Sequence, residues 1–243
     1  MGGKLMRIYA NCYELMSEIF REVWEMGHIV HPHSMQNKVV KDDDNFSTKE
    51  ITNYSYCLTT IHKLDYLFLA DPRAMAWADE EFLERVNPMY VNPGEAWELR
   101  PQIWKQFLNE LGQFDYSYNE RMGWSLGDVI TELKRNPDSR QAIIGIWDSI
   151  RDADHLGGKK RIPCSIYYQI LVRDNKVHII YNQRSADVVT HFGNDVYLAW
   201  QLMLHVAAQI GRKPGFLYHN IGSLHAYKKD WPQLKQCIED IKI

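Results

Sequence analysis

Pro163-Cys164-Ser165-Ile166-Tyr167-Tyr168-Gln169-Ile170-Leu171-Val172, then Arg173-Asp174-Asn175, then Lys176 through Asn182-Gln183-Arg184-Ser185-Ala186-Asp187 is the stretch on which the reading of this chain turns. Its two halves are rich in β-favouring residues, with alternation visible in Ile166-x-Tyr168-x-Ile170. Asp and Asn at the join accept the left-handed backbone of a tight hairpin. Neighbouring strands would bring Cys164 beside Arg184 and Ser185. A thiol, a guanidinium fork and a hydroxyl together can hold a phosphate monoester next to a thiolate nucleophile. The stretch reads as a nucleotide site.

Bulk properties narrow the class. A chain of 243 residues can bury one sizeable core, and its composition shows no break that would divide 1–243 into two domains. The formal charge of −3 supplies no global attraction to nucleic acid, so an anionic substrate must be met by locally placed arginines. That favours a small ligand over a polymer. No apolar run approaches a membrane span, and the first residues lack the plan of a signal peptide, which leads to a cytoplasmic expectation. Cys12, Cys57, Cys164 and Cys237 have no metal-ligand spacing and are expected as reduced thiols. His31 and His33 lack a third ligand nearby, so no metal site is expected.

Moving outward, residues 7–26 repeat apolar positions at helical spacing, with Ile8, Cys12, Leu15, Ile19 and Val23 near one face and Gly27 as the C-cap. Residues 30–47 read as an exposed loop, and residues 50–61 as a strand. Asp71-Pro72 opens a helix containing Asp79-Glu80-Glu81-Phe82-Leu83. A loop rich in Trp and Pro leads to a helix over 103–111, a short helix covers 125–135, and 142–147 is a buried strand. Residues 195–210 form a long helix ended by Gly211, and 216–224 lead into His225-Ala226-Tyr227.

In order and interval, Pro163-Cys164, Gln183-Arg184-Ser185-x-Asp187, Asn194-Asp195, Gly215, His219, Gly222 and His225-x-Tyr227 resemble the signature blocks of the thymidylate synthase superfamily. The resemblance implies an α/β fold of the α+β type, with a mixed, largely antiparallel sheet flanked by helices that dimerises through the sheet. It implies a pyrimidine nucleoside monophosphate as substrate and 5,10-methylenetetrahydrofolate as co-substrate. Cys164 would be the nucleophile that adds at C6 of the pyrimidine, with the guanidinium of Arg184 stabilising negative charge on sulfur. Glu81, or Glu80 in the neighbouring register, would face the pyrimidine and relay protons, and Tyr118 aligns with the family tyrosine. Asn119 stands where the family has glycine, a turn position that asparagine tolerates. Arg184 and Ser185 would bind phosphate, and His225 and Tyr227 the sugar 3′-hydroxyl. Gln183 and Asn194 complete the substrate set. Asp187 would lie between nucleotide and folate, and with Glu81 forms the expected folate boundary.

Departures from the family pattern carry information. Its phosphate-binding loop arginine has no counterpart over residues 30–47, where Lys38 is an available charge. Of its interface pair Ser-Arg-Arg, which reaches the partner's phosphate, the chain keeps Arg140 and has Gln141 second. Ser165 replaces the histidine after the cysteine. This chain ends at Ile243, shortly after the His-x-Tyr block, where the family continues to a tail that closes over the folate, so the expectation is either a simplified lid or a one-carbon step more open to water, and the latter suits hydroxymethylation.

Asp195 stands where uracil-specific members have asparagine. A carboxyl group accepts from the cytosine 4-amino group and completes a second bond at N3 when one of the two carries a proton. With Gly222-Ser223-x-His225, this most resembles the phage-type deoxycytidylate hydroxymethylases and implies transfer of a hydroxymethyl group to C5 of dCMP. The alternatives are a register slip that places Asn194 on a uracil, giving a dUMP hydroxymethylase or thymidylate synthase, a CMP hydroxymethylase, a cytidylate C5 methylase, or a nucleotide-binding homologue without turnover.

Overall fold

The computed structural model describes residues 6–241. In chain order the elements are β1 (Arg7–Tyr9), α1 (Cys12–Met26), β2 (His28–Val30), β3 (Ser34–Met35), β4 (Lys38–Val39), β5 (Thr48–Leu58), α2 (Ala74–Val86), α3 (Pro101–Trp104), α4 (Tyr118–Arg135), β6 (Ile143–Gly145), β7 (Ser165–Arg173), β8 (Lys176–Asp187), α5 (Phe192–Gln209), β9 (Lys213–Tyr227) and α6 (Trp231–Ile241). One sheet runs in the order β1-β5-β9-β8-β7-β6, with β2 also on β5. Its pairings are antiparallel except β1 on β5 and β8 beside β9. This is the mixed, largely antiparallel α/β architecture expected from the sequence.

Alternation decides the layers. On β8, Val177, Ile179 and Tyr181 are buried while His178, Ile180 and Asn182 are only half-buried, and β7 and β9 repeat the pattern. The buried face packs on α1 and α5. Residues Leu15, Ile19 and Phe20 of α1 and Leu198, Leu202 and Val206 of α5 belong to that core. The β7–β8 turn has Asp174 at φ 50° and Asn175 at φ 62°, the left-handed pair that a two-residue hairpin requires.

Several boundaries differ from the sequence reading, each for a local reason. The first helix begins at Cys12 because Asn11 caps it, its side chain accepting from Glu14 N–H, while residues 7–9 pair with β5. Ile8, placed on the helical face by periodicity, is exposed on that strand. Gly27 does end the helix, but with extended backbone. Residues 30–47 hold the β3–β4 hairpin and not an unstructured loop. The helix expected over 103–111 is the short α3 followed by a 3₁₀ turn ending at Phe107.

The helix expected from Ser125 starts at Tyr118. Ser117 accepts from Glu120 N–H and the Glu120 carboxylate accepts from Ser117 N–H, forming a capping box. Asn119 therefore lies in the first turn of α4 and not in a left-handed turn. Its side chain donates to the Glu84 and Asn87 carbonyls and accepts from Val91 N–H, tying α4 to the end of α2. Residues 231–241, unassigned by periodicity, form α6 against α1.

The start of α5 is the tightest contact near the cleft. A Cβ at Gly193 would lie 1.8 Å from the Leu67 carbonyl oxygen, so the helix reaches this depth only with glycine there. Gly193→Ala is expected to cost about 1–3 kcal/mol through forced displacement. Urea unfolding checks this, and an unchanged midpoint would show that the contact relaxes freely.

Candidate active site

Cys164 enters the site from the residue before β7. Its carbonyl accepts from Arg184 N–H at 2.8 Å, so the hairpin places the two side by side. The Arg184 side chain folds back on the same turn, Nε donating to the Pro163 carbonyl at 2.8 Å and Nη2 lying 3.7 Å from the Cys164 sulfur. Gln36, at the tip of the β3–β4 hairpin with φ 53°, approaches from the other side. Its Oε1 accepts from Ile162 N–H at 3.0 Å and its Nε2 lies 3.7 Å from the same sulfur. The thiol thus meets two donors, one of them from a segment read as solvated loop.

Around this sulfur opens a cleft of about 660 Å³, lined by Arg184, Ser185, Asp187, Asp195, His225 and Tyr227, with Tyr118 also on its wall. That volume is typical of a small-molecule site. Lys38 stands at the rim, donating to Gln106. His225 Nδ1 lies 3.4 Å from the Ser223 carbonyl and 3.3 Å from the Ser223 hydroxyl, and that hydroxyl donates to Glu50 at 2.7 Å. Burial holds the His225 pKa below its ordinary value, so its imidazole is neutral. Asp187 accepts from Val189 and Thr190 N–H, which closes the turn into α5.

On the opposite wall Trp77 and Arg85 of α2 line the cleft, while Glu81, midway between them on the same stripe, lines a small neighbouring pocket and not the cleft itself. Arg85, which sequence reasoning missed, donates from Nε to Glu81 at 2.8 Å and stacks 3.7 Å over the Tyr118 ring. Burial works against its charge, but Glu81, Tyr168 and Tyr118 more than offset it. The i, i+4 spacing of Glu81 and Arg85 was the available signal. Glu81 is therefore an ion-paired, largely buried carboxylate, while Glu80 has no such partner shown. From Tyr118 a hydroxyl chain runs to Ser165 at 3.1 Å and on to Tyr181 at 2.6 Å. Burial pushes both tyrosine pKa values well above the ordinary range, so both phenols stay neutral.

Arg161, also missed, is buried under the aromatic rings of Trp104, Phe107, Phe114 and Tyr116, at 4.6–5.5 Å from their centroids. It lines the cleft, and among the described residues no carboxylate pairs with it. Four of the predicted site residues do not line the cleft, Glu81 among them. Gln183 lies behind the cleft wall, Asn194 is buried with its amide donating to the Thr190 carbonyl, and Arg140, expected to act across a subunit interface, is exposed just before β6, its backbone carbonyl accepting from Gln169 Nε2. Of the adjacent pair Asn194 and Asp195, the aspartate faces the cleft.

Asp195 accepts from Gln183 Nε2 at 2.7 Å. Burial pushes its pKa up to about 6, against the hydrogen bond from Gln183 and the charge of Arg85, while Asp187 and Glu81 push the same way as burial. Among the described residues no group of three His, Cys, Asp or Glu side chains could hold a metal ion, and no helix is long and apolar enough to cross a membrane.

A thiol lies between amide and guanidinium donors, in a cleft with a carboxyl group on one wall and a neutral phenol on another. The chain belongs to the thymidylate synthase family, whose model matches residues 75–242. It is similar to the deoxycytidylate 5-hydroxymethyltransferase of Enterobacteria phage T4, 29% identical over 198 residues covering 70% of this chain and 76% of that protein. It is also similar to the thymidylate synthase of Phytoplasma mali, 33% identical over 116 residues covering 48% of this chain and 39% of that one. As a member of this family it is a folate-dependent one-carbon transferase acting on a nucleoside monophosphate.

The Asp195 environment predicts a pH effect on stability. A carboxyl whose pKa is raised on folding contributes stability below its unfolded value, and this is lost as pH rises through about 6. Asp195→Asn, which never charges, should therefore gain on the native chain between about pH 4 and pH 7, by roughly 2–4 °C in Tm for each kcal/mol recovered. Parallel Tm curves across that range would show that Asp195 is not destabilised by charging.

Proposed function

We propose that the protein is a deoxycytidylate 5-hydroxymethyltransferase, and the observation that carries this reading is the carboxyl of Asp195 on the cleft wall. Uracil presents a carbonyl oxygen beside N3–H, whereas cytosine presents an amino group beside a bare N3. A carboxylate oxygen accepts from the amino group, and a proton shared between Asp195 and N3 completes the pair. The similarity to the phage T4 enzyme supports the same choice.

The chain's residues then divide the work. Cys164 sulfur forms a bond to C6 of the ring, and the electron pair of the C5–C6 double bond moves to C5, which becomes the nucleophile. Gln36 and Arg184 hold the sulfur and stabilise its charge before attack. Arg184 and Ser185 receive the phosphate, and His225 with Tyr227 the sugar hydroxyl. Tyr118, Ser165 and Tyr181 offer a route for the C5 proton, with Glu81 behind them. Methylenetetrahydrofolate, when bound, supplies the one-carbon unit at the oxidation level of formaldehyde. The aromatic wall of Trp77 and Trp104, with the unpaired Arg161 guanidinium beside it, fits a flat ring system bearing oxygen acceptors. The one-carbon unit would become bonded to C5 as tetrahydrofolate is released, water would supply the product hydroxyl, and loss of the C5 proton with departure of Cys164 restores the aromatic ring.

A second copy of the chain belongs in this reading. The outer sheet face carries half-buried Tyr167, Ile180, Phe216 and Tyr218, which suits packing against its own copy. Arg140 then serves the partner's phosphate. Mixing inactive Arg140→Ala with inactive Cys164→Ser subunits should restore activity in hybrids. Exchange of subunits without recovered activity would place Arg140 outside the site.

Tritium release from C5-labelled dCMP and dUMP, followed by mass spectrometry of the product, tests the reaction itself. Cys164→Ser should lose exchange with nucleotide binding retained. Asp195→Asn should lower kcat/KM for dCMP and raise it for dUMP, since a site that reads a hydrogen-bonding edge can discriminate by about 10⁴ or more. A native preference for dUMP, or loss of both bases in parallel in the Asn variant, would overturn the cytidylate assignment.

A further inference from the structure

Behind the cleft wall a hydrogen-bonded chain connects three neighbouring strands to Asp195. Tyr56 of β5 bonds His219 Nδ1 at 2.9 Å, His219 Nε2 of β9 bonds Gln183 Oε1 at 3.0 Å, and Gln183 Nε2 of β8 donates to Asp195 Oδ2 at 2.7 Å. Tyr56 and His219 are fully buried, and Gln183 is 3% exposed. The imidazole is stacked on Tyr181, centroids 4.3 Å apart, and lies parallel to Phe192 at 6.0 Å. Strand register sets the alignment, since Tyr56 and Tyr181 are the direct neighbours of His219 on either side.

With the Gln183 amide oxygen towards His219 and its nitrogen towards Asp195, as found, the chain has one consistent set of donors. Gln183 Oε1 only accepts, so His219 Nε2 carries the hydrogen, and Nδ1 accepts from the Tyr56 hydroxyl. Burial lowers the His219 pKa to about 3, so the ring stays neutral and its one hydrogen cannot serve both nitrogens. With Nε2–H facing it, Gln183 must turn its amino end to Asp195. Reversing the amide would set Nε2–H of His219 against N–H of Gln183 unless the tautomer reversed as well, and the Tyr56 hydrogen bond with it. Oδ2 is thereby held as an acceptor. Any proton on the carboxyl sits on Oδ1.

We propose that His219, which touches no part of the cleft, is a positioning residue that acts through Gln183 to fix which oxygen of Asp195 can carry a proton, and so sets the donor and acceptor polarity presented to the base. This rests on the reading of the cleft as a pyrimidine nucleotide site. The polarity matters because a protonated carboxyl free to place its hydrogen on either oxygen can pair with either pyrimidine edge, whereas a fixed one matches a single edge. Discrimination then depends on a residue outside the contact set, held by Tyr56.

The test uses the full-length protein carrying His219→Phe, which keeps a stacked ring but no nitrogen, and Tyr56→Phe, which removes one hydroxyl and leaves the core filled. C5 tritium release is measured with dCMP and with dUMP from pH 5 to pH 9. The ratio of the two kcat/KM values should fall by about tenfold or more in His219→Phe and by less in Tyr56→Phe. The Asp195 ionisation in the pH profile should move upward in His219→Phe, because the N–H that stabilises its carboxylate is no longer fixed. Arg85 and Glu81 of α2, Asp187, and the neutral Tyr56, Tyr118, Tyr168 and Tyr181 also face this carboxyl and are unchanged in number of charges by either substitution. A ratio and profile equal to the native ones in a folded Tyr56→Phe, or equal losses on both bases, overturn the proposal. If the native enzyme favours dUMP, the cytidylate reading fails, while a collapse of that preference in the variants still supports the role of His219.

Discussion

The backbone hydrogen bond from Arg184 N–H to the Cys164 carbonyl is the constraint on which the site depends. It is the last rung at the open end of the β7–β8 hairpin, and its register is set by the turn at Asp174-Asn175 together with a one-residue shift between Ser165 and Tyr167. A slip of one residue would carry Arg184 to the other face and leave the sulfur without its guanidinium. The Arg184 side chain reinforces the rung by bonding the Pro163 carbonyl, so the guanidinium and the Cys164 thiol are fixed to each other by both main chain and side chain. Such a pair is preorganised, and little reorganisation is needed when charge appears on sulfur.

Other walls of the cleft are carried by different elements and meet here only through packing. Helix α5 delivers Asp195 because Gly193 lets it press against the Leu67 carbonyl. Helix α4 delivers Tyr118 because Ser117 and Glu120 start it seven residues before the point suggested by its apolar pattern. Helix α2 delivers Arg85 and Glu81 as an ion pair that stacks on Tyr118. The small β3–β4 hairpin delivers Gln36. Neutral phenols and imidazoles stand on the buried side, kept uncharged by desolvation.

Local pattern alone determined much about this protein. The period-2 runs of β7 and β8, the Asp-Asn turn and the long apolar face of α5 were all legible, because each is written in neighbouring residues, and α2 was legible except for its start, which lies at Ala74 and not at Pro72. So was the family, since Cys164, Gln183-Arg184-Ser185, Asp195 and His225-x-Tyr227 keep their intervals. What only the tertiary structure decided were relations between residues far apart in the chain. Arg161 reads as an ordinary arginine until four aromatic rings from separate segments close over it. Gln36 reads as loop until a hairpin folds over the thiol. Asp195 was already favoured over its neighbour Asn194 by family spacing, but it is the orientation of α5 that turns the aspartate to the cleft and the asparagine inward. His219 became more than a signature position only when strand order placed it between Tyr56 and Gln183, because hydrogen-bond partners on three strands are fixed by sheet register and not by sequence spacing.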